Sequence, residues 1–274
     1  MTLEVKSLAE WEAAGIKDML SVVIPAHNEA GHIEETVTTL HDALEKAQIQ
    51  HEILVVNDNS KDRTEEILQD LCRRYPQQVR YVNNTPPNGF GFAVRCGLSN
   101  FRGDTVAIVM ADLSDSPDDV VAFYRKIQEG ADCAFGSRFM RGSKVIDYPF
   151  FKLMLNRCGN WFIKVLFWMR YNDITNAFKM YRRKVIAGIQ PLLAYHFNLT
   201  VEIPLKAIVR GYTYAVVPNT WRNRKEGVSK FKIREMGSRY LFIILYCLLE
   251  KLLSRNDYRD RPEIRATQLQ VWPR

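Results

Sequence analysis

The sequence predicts an α/β protein with a mostly parallel sheet flanked by helices, followed by amphipathic helices toward the C-terminus. Two observations carry this prediction. Short apolar runs rich in β-branched residues alternate with longer stretches of helical spacing, and polar or acidic residues come directly after several of the apolar runs. Such alternation is typical of βαβ units, whose successive strands are parallel.

The first two strands and helices form one such unit. Residues 21–25 (SVVIP) are a β-branched run closed by a proline, and residues 32–47 have the spacing of an amphipathic helix. Residues 52–58 repeat the apolar run, and a second helical stretch follows as far as Tyr75. We therefore expect two adjacent parallel strands with a helical crossover.

The remaining elements continue the pattern and divide the chain. In chain order, the further strand candidates are residues 79–82, 105–110, 133–135 and 214–217, and the further helix candidates are residues 91–100, 150–168, 199–210 and 235–253. We expect an N-terminal extension (1–18), one α/β domain (19–232), and a C-terminal amphipathic helix with a charged tail (233–274).

Carboxylates fall just past three of the predicted strands. Glu29 follows the first strand, Asp58 the second and Asp112 the fourth. Open parallel sheets bind ligands in the crevice at the carboxyl ends of their strands, where loops and helix N-termini meet. These side chains are therefore candidates to bind a nucleotide. The alternative is that such residues only form Asx turns and helix caps.

Composition narrows the class of protein. The chain has 274 residues, 47% of them hydrophobic, which suffices for a large buried core. Its formal charge of +7 suits anionic partners such as phosphates, but no basic helix or aromatic platform indicates nucleic acid. The five dispersed cysteines indicate neither a disulfide framework nor a zinc site. The five histidines have no HxxxH spacing, so we expect surface or capping roles.

No export signal or membrane span is predicted. The first residues, MTLEVKSLAEWEAAG, carry acidic groups where a signal peptide has a basic segment. The longest apolar stretch, residues 240–249, is about half the roughly 20 residues of a spanning helix. We expect a cytoplasmic protein that associates with the membrane peripherally.

Several strings together identify a family resemblance. SVVIPAHNEAGHIEETV, VVNDNSKDRTEEIL, NGFGFAVRCGL and VMADLSDSP resemble the inverting family 2 glycosyltransferases. GSRF and DITNAFKMYRR resemble their polyprenyl-phosphate sugar transferase branch, typified by dolichol-phosphate mannose synthase. The resemblance spans residues 19–232 and implies a GT-A type, Rossmann-like fold. It also implies that Pro25, Ala26, Glu29 and Asp58 bind the nucleoside of a nucleotide-sugar.

The string MADLSD is the candidate metal motif. A diphosphate leaving group needs its charge neutralised, and Mg²⁺ or Mn²⁺ held by oxygen ligands supplies this. The family usually has Asp at the first and third positions, whereas this chain has Met110 at the first. A thioether is a poor ligand for these ions. We expect Asp112 to bind the metal and the donor. Either Ser114 or Asp115 completes the shell, or the donor diphosphate and water mainly hold the metal. For Asp115, a helix-entry turn is an equal alternative.

A set of basic residues is the candidate acceptor site. A lipid phosphate is already an anionic nucleophile, so it needs cations to position it rather than a base to deprotonate it. The candidate residues are Arg138, Lys152, Arg157, Lys179, Arg222, Ser229 and Lys230. The resemblance places Arg138, Lys152 and Lys179 around that phosphate, and we expect Ser229 and Lys230 to contact the acceptor as well. Of these, Arg138 and Lys179, together with Asp112, are the predicted catalytic residues.

Two apolar helices carry further expectations. Residues 150–170 interleave bulky aromatic residues with cations, which favours a helix lying in the headgroup region of a membrane; residues 235–253 are a second candidate. Core packing or a homo-oligomer interface is the alternative. Glu202 lies in an otherwise apolar helix, and there it forms either an ion pair with Arg210 or Arg222 or a contact with the sugar or acceptor.

Three functions remain open from the sequence. The first is inverting transfer of a hexose from a nucleoside diphosphate sugar to a polyprenyl (dolichyl or undecaprenyl) phosphate at the cytoplasmic membrane face. The second is transfer to a sugar hydroxyl in polysaccharide or glycolipid synthesis, which needs a general base such as Asp115 or Glu202. The third, prompted by Met110, is a catalytically lapsed sugar-nucleotide-binding protein.

Overall fold

A seven-stranded, mostly parallel sheet forms the centre of the computed structural model, which describes residues 18–222, 233–254 and 256–259. The strands are β1 (Leu20–Ala26), β2 (His51–Asn57), β3 (Val79–Asn83), β4 (Thr105–Ile108), β5 (Cys133–Ser137), β6 (Lys144–Ile146), β7 (Lys179–Arg182), β8 (Tyr214–Pro218) and β9 (Thr220–Arg222). The helices are α1 (Ile33–Lys46), α2 (Thr64–Arg74), α3 (Phe90–Asn100), α4 (Pro117–Gln128), α5 (Phe150–Leu166), α6 (Arg183–Gly188), α7 (Leu199–Val209) and α8 (Ile233–Leu253). The predicted fold class is confirmed.

The strand order is β3-β2-β1-β4-β7-β5-β8. Strand β1 pairs in parallel with β2 and β4, β2 with β3, and β5 with β8. Strand β7 was not predicted; it lies between β4 and β5 and is antiparallel to both. A small second sheet joins β6 to β9.

The apolar strands are buried on both faces of the sheet. Along β1, Val23 belongs to one core cluster while Val22 and Ile24 belong to the other, as the two-residue period of a strand requires. Helices α1, α2 and α4 pack on the face of Val22, and α3, α7 and α8 on the face of Val23. Burial on both faces explains why the strands read as continuous apolar runs rather than as alternating ones.

The predicted boundaries differ from the observed ones at two informative places. The apolar run 105–110 forms a strand only to Ile108, since the chain then turns toward Asp112. Helix α4 was not among the predicted elements, but the residues after Asp115 do enter a helix, as one alternative expected, and Pro117 occupies its first turn. Residues 1–17 of the predicted extension and most of the predicted tail lie outside the described residues, so the domain division stays a prediction. Within the part that is described, no helix has both the length and the apolarity of a membrane span.

Candidate active site

Three acidic loops leave the sheet at its carboxyl edge. Ala26 ends β1 directly opposite Asn57, which ends the parallel strand β2. The loops that carry Glu29 and Asp58 therefore start side by side, and the Asp58 amide donates to the Ala26 carbonyl over 2.8 Å. Asp112 follows β4, which pairs with β1 on its other side. The edge predicted from strand order thus holds the loops of all three carboxylates.

The loops after β1 and β2 are joined by hydrogen bonds. The Glu29 amide donates to Thr64 Oγ1 (2.9 Å), and the Ala30 amide donates to Asp62 Oδ2 (3.1 Å). Pro25 is buried within β1. The two segments predicted to bind a nucleoside are therefore held together by hydrogen bonds, and their contact with a nucleoside stays a prediction.

Asp58 holds the loop that leads into α3. Its Oδ1 accepts from the side-chain amides of Asn84 (2.7 Å) and Asn88 (2.9 Å), and its Oδ2 accepts from the Gly89 amide (2.7 Å). Gly89 has a φ of +132°, a conformation that favours glycine. The buried carboxylate therefore shapes the loop beside the crevice. Sequence reasoning missed Asn84 and Asn88, which lie 26 and 30 residues from Asp58.

The candidate metal motif presents oxygen atoms at the end of β4. Asp112 is half-buried and accepts from the Ser114 amide (3.2 Å), whereas Ser114 and Asp115 are buried. The Met110 amide donates to Asp115 Oδ2 (3.4 Å), so the residue that replaces a family carboxylate contributes its backbone here. Two carboxylates and a hydroxyl are the donor set that a hard divalent cation prefers. The chemistry of this set fits Mg²⁺ or Mn²⁺, and binding by these residues stays a prediction.

The pKa of Asp115 reflects this crowding. Burial and the nearby charge of Asp112 raise the pKa of the Asp115 carboxyl from 3.8 to about 7. Since a bound cation would relieve both effects, the raised pKa is the electrostatic feature of this motif that best fits metal binding.

We expect Asp115→Asn to stabilise the protein at high pH. An unfolded Asp115 ionises near pH 4, while the folded one keeps its proton to about pH 7. Raising the pH through this window therefore lowers the free energy of unfolding of the wild-type protein. Asparagine does not ionise, so the variant avoids this loss. Without divalent ions, the gain in Tm over the wild-type protein should be larger at pH 8 than at pH 5. The exposed Asp118→Asn should show no such difference; an equal gain for Asp115→Asn at both pH values would contradict this prediction.

Arg138 is oriented by a buried partner. Its guanidinium donates to both carboxylate oxygens of Asp173, at 2.8 and 2.7 Å, and its amide donates to Asp173 Oδ2 (2.9 Å). Burial alone lowers the pKa of Arg138, but Asp173 outweighs it and the net pKa is raised. Such a fork fixes the plane of the guanidinium. Asp173 was given no role from sequence, although it opens the string DITNAF.

Lys179 lies deeper than its predicted role suggests. Its ammonium group in β7 donates to the carbonyls of Ile174 (3.0 Å), Thr200 (3.3 Å) and Asn176. Burial lowers its pKa to about 7, partly countered by Asp173. Lys179 is thus buried and enclosed by backbone oxygens, and its predicted contact with an acceptor phosphate stays a prediction.

Other cations stand at the surface beside Arg138. The ring of Tyr148 lies between the Arg138 guanidinium (5.9 Å) and the Lys152 ammonium (5.8 Å). The ring of Phe139 similarly lies within 5.5 Å of Arg157 and 5.3 Å of Arg138. Lys152 and Arg157 are exposed on α5, so these two side chains form a cationic rim beside the buried Arg138 guanidinium. The other predicted contacts, Ser229 and Lys230, lie outside the described residues.

Glu202 is a structural residue with a partner different from those expected. It is fully buried, accepts from the amides of Leu193 and Ala194 (2.6 Å each), and pairs with Lys206 at 2.7 Å. The predicted partner Arg210 pairs instead with Glu250 on α8. The expectation of an ion pair at Glu202 is therefore confirmed, but its partner is Lys206 and not Arg210 or Arg222.

This fold, with acidic loops at the carboxyl edge of the sheet, is that of GT-A type glycosyltransferases. Among solved structures, glucosyl-3-phosphoglycerate synthase from Mycobacterium tuberculosis in complex with Mn²⁺, UDP and glucosyl-3-phosphoglycerate is similar, with a TM-score of 0.59 and 18% identity. The match covers 90% of this chain and 84% of that one. A complex of the same synthase with Mn²⁺ and UDP-glucose has a TM-score of 0.62 at 17% identity. These likenesses establish the fold.

The chain belongs to glycosyl transferase family 2, whose model matches residues 21–189. The dolichol-phosphate mannosyltransferase of Pyrococcus furiosus is 32% identical over 217 residues, which cover 78% of this chain and 59% of that protein. The polyprenol monophosphomannose synthase of Mycolicibacterium smegmatis is 30% identical over 233 residues, covering 80% and 86%. This chain therefore carries a glycosyl transferase family 2 domain, and it spans less than two thirds of the first of these relatives.

Proposed function

We propose that this protein transfers a hexose from a nucleoside diphosphate sugar to a polyprenyl phosphate, inverting the anomeric centre, at the cytoplasmic membrane face. The names of the two relatives support this acceptor class. The observation that carries it is the cationic rim of Lys152 and Arg157 beside Arg138, because the same helix, α5, also exposes aromatic side chains. A lipid phosphate requires both features in one place.

The acidic and the basic residues would have different roles. Glu29 and Asp58 would position the nucleoside, with Asp112 and its neighbours holding a divalent cation that neutralises the diphosphate. Arg138, held in plane by Asp173, would orient the acceptor phosphate so that its oxygen attacks the sugar C1 as the bond to the diphosphate breaks. Because that oxygen is already anionic, no general base is required.

Transfer to a sugar hydroxyl is the weaker alternative, since it needs a base. Of the two carboxylates considered for that role, Glu202 is fully buried and bonded to two amides and Lys206. Only Asp115 is left for this chemistry, and its place beside Asp112 suits a metal-binding role better. The third alternative, a catalytically lapsed protein, is excluded if the purified protein turns over the donor.

Assay of the purified protein tests the proposal. Labelled UDP- and GDP-hexoses, Mg²⁺ or Mn²⁺, and short polyprenyl phosphates should yield label in the lipid phase. Donor binding without transfer to any polyprenyl phosphate would sink the acceptor assignment. Donor binding with neither transfer nor hydrolysis would favour the lapsed protein.

The proposed membrane surface is formed by α5 and α8. Helix α5 and the turn after it expose aromatic side chains, and α8 exposes a leucine-rich face. In and after α5 the exposed side chains are Phe150, Phe151, Trp161, Phe162 and Trp168, and on α8 they are Leu241, Phe242, Leu245, Leu249, Leu252 and Leu253. The two helices meet where the Lys251 ammonium lies 5.1 Å from the Trp168 ring. Apolar side chains interleaved with cations suit the headgroup region of an anionic membrane.

We expect the double variant Phe150→Glu/Trp161→Glu to lose membrane binding. Burying an aromatic side chain contributes about 1.5–3 kcal/mol, so removing two should lower partitioning to anionic vesicles by about tenfold or more. Co-sedimentation with phosphatidylglycerol vesicles measures this. The control Arg73→Gln on α2, at an exposed position, changes charge without removing apolar surface. Unchanged binding of the double variant would exclude this face as the membrane contact.

A further inference from the structure

A second cluster of ligand-type side chains lies away from the carboxylates described above. His41 and Glu45 lie on α1, and His51 is the first residue of β2. One ligand atom from each lies within 4.8 Å of those of the other two. Sequence spacing predicted surface or capping histidines, but His51 is buried and the two histidines meet. Such a group is suited to a borderline metal ion rather than to Mg²⁺.

The cluster occupies the opposite edge of the sheet from the glycosyltransferase site. His51 is paired with Leu20, and both residues begin their strands. Asp58 follows the other end of β2, about 20 Å away at the rise of a strand. The cluster therefore cannot share a metal ion with Asp112.

The histidine geometry resembles that of a ligand pair. His51 Nδ1 lies 2.8 Å from the Ile49 carbonyl and donates its proton there, which leaves the Nε2 lone pair facing His41 Nδ1 at 3.1 Å. Two imidazole nitrogens bound to one tetrahedral Zn²⁺ lie about 3.4 Å apart. A second ring nitrogen bonded to a backbone carbonyl is the usual way to orient a metal-binding histidine. Metal binding requires only that His41 carry its proton on Nε2.

The surroundings of the histidine cluster favour the binding of a metal ion. Burial lowers the pKa of His51, so its imidazole is neutral and able to bind a metal at neutral pH. The His41 ring packs against Tyr75, with centroids 4.3 Å apart, which restricts its rotation. Glu45 lies one helical turn beyond His41 and is exposed, so its carboxylate can reach the ion while solvent supplies a fourth ligand.

We propose that His41, Glu45 and His51 form a structural site for Zn²⁺ or a similar divalent transition-metal ion. The ion would join the last turns of α1 to the start of β2 across residues 47–50, and would stabilise the amino edge of the sheet without taking part in sugar transfer.

Metal titration of the full, untagged chain tests the proposal. After dialysis against EDTA, Zn²⁺ should bind with about one equivalent by calorimetry, and Co²⁺ should give the visible absorption of a tetrahedral site. Saturating Zn²⁺ should raise Tm by about 5 °C. His41→Ala should weaken Zn²⁺ binding by about 100-fold, and Glu45→Gln, at an exposed position, by at least about tenfold.

Two controls separate this site from others. His196→Ala removes a half-buried histidine outside the cluster and should bind Zn²⁺ like the wild-type protein. Asp112→Asn should keep the Co²⁺ spectrum, and His41→Ala should keep transferase activity. The proposal is overturned if the wild-type protein shows no tetrahedral Co²⁺ band, or if His41→Ala and Glu45→Gln both bind Zn²⁺ as tightly as the wild-type protein.

Discussion

Asp112→Asn is expected to lower the rate of hexose transfer by about 10³-fold or more while leaving the protein folded. The substitution keeps the size of the side chain and can keep the hydrogen bond from the Ser114 amide (3.2 Å). It removes one negative charge from the motif proposed to hold the cation, and neutralising a leaving diphosphate contributes several kcal/mol to the transition state. Single-turnover transfer at saturating donor, with Mn²⁺ varied, measures the loss.

The control for this variant is Asp118→Asn in the same segment. Asp118 is exposed in the first turn of α4, so its replacement changes the net charge equally but leaves the motif intact. We expect near wild-type rates from it. If Asp112→Asn kept more than about a tenth of the wild-type rate at saturating Mn²⁺, Asp112 would not be the metal ligand, and the role would pass to Asp115 or to the donor itself.

The first half of the fold could be predicted because its information is local. Each parallel strand is an apolar run bounded by polar residues, and each crossover helix has its own periodicity. The convergence of Glu29, Asp58 and Asp112 then follows from parallel strand order alone. Strand β7 could not be found in this way, because KMYR has no strand pattern and its place depends on pairing with β4 and β5.

The region predicted to bind the acceptor depends on residue pairs that are distant in sequence, and it was therefore only partly predictable. Asp173 lies 35 residues beyond Arg138, and no spacing rule links them. The burial of Lys179 depends on β7 being inside the sheet, which the sequence did not indicate. Lys206, by contrast, is four residues beyond Glu202 on α7 and was available from helical spacing. The longer-range candidates Arg210 and Arg222 were preferred wrongly.

The second large expected effect is a loss of stability, because Arg138 and Asp173 form a buried ion pair. Asp173→Asn would leave the buried guanidinium without a countercharge, and breaking a buried ion pair from one side costs about 3–5 kcal/mol. The urea midpoint of unfolding should fall accordingly. The exposed Asp147→Asn, which also removes an acidic charge, in the segment between β6 and α5, should leave the midpoint unchanged.

Replacing both Arg138 and Asp173 distinguishes a role of the pair in stability from a role in positioning Arg138. In Arg138→Met/Asp173→Asn neither charge of the pair remains, so we expect this double variant to be more stable than Asp173→Asn alone. With Arg138→Met measured to complete the cycle, the coupling energy should be about 1–3 kcal/mol. Transfer should stay low in the double variant because the acceptor phosphate has lost its oriented cation. Recovery of both stability and transfer would show that the pair serves packing alone, whereas recovery of stability without transfer is the result expected if Asp173 acts by holding Arg138 toward the acceptor.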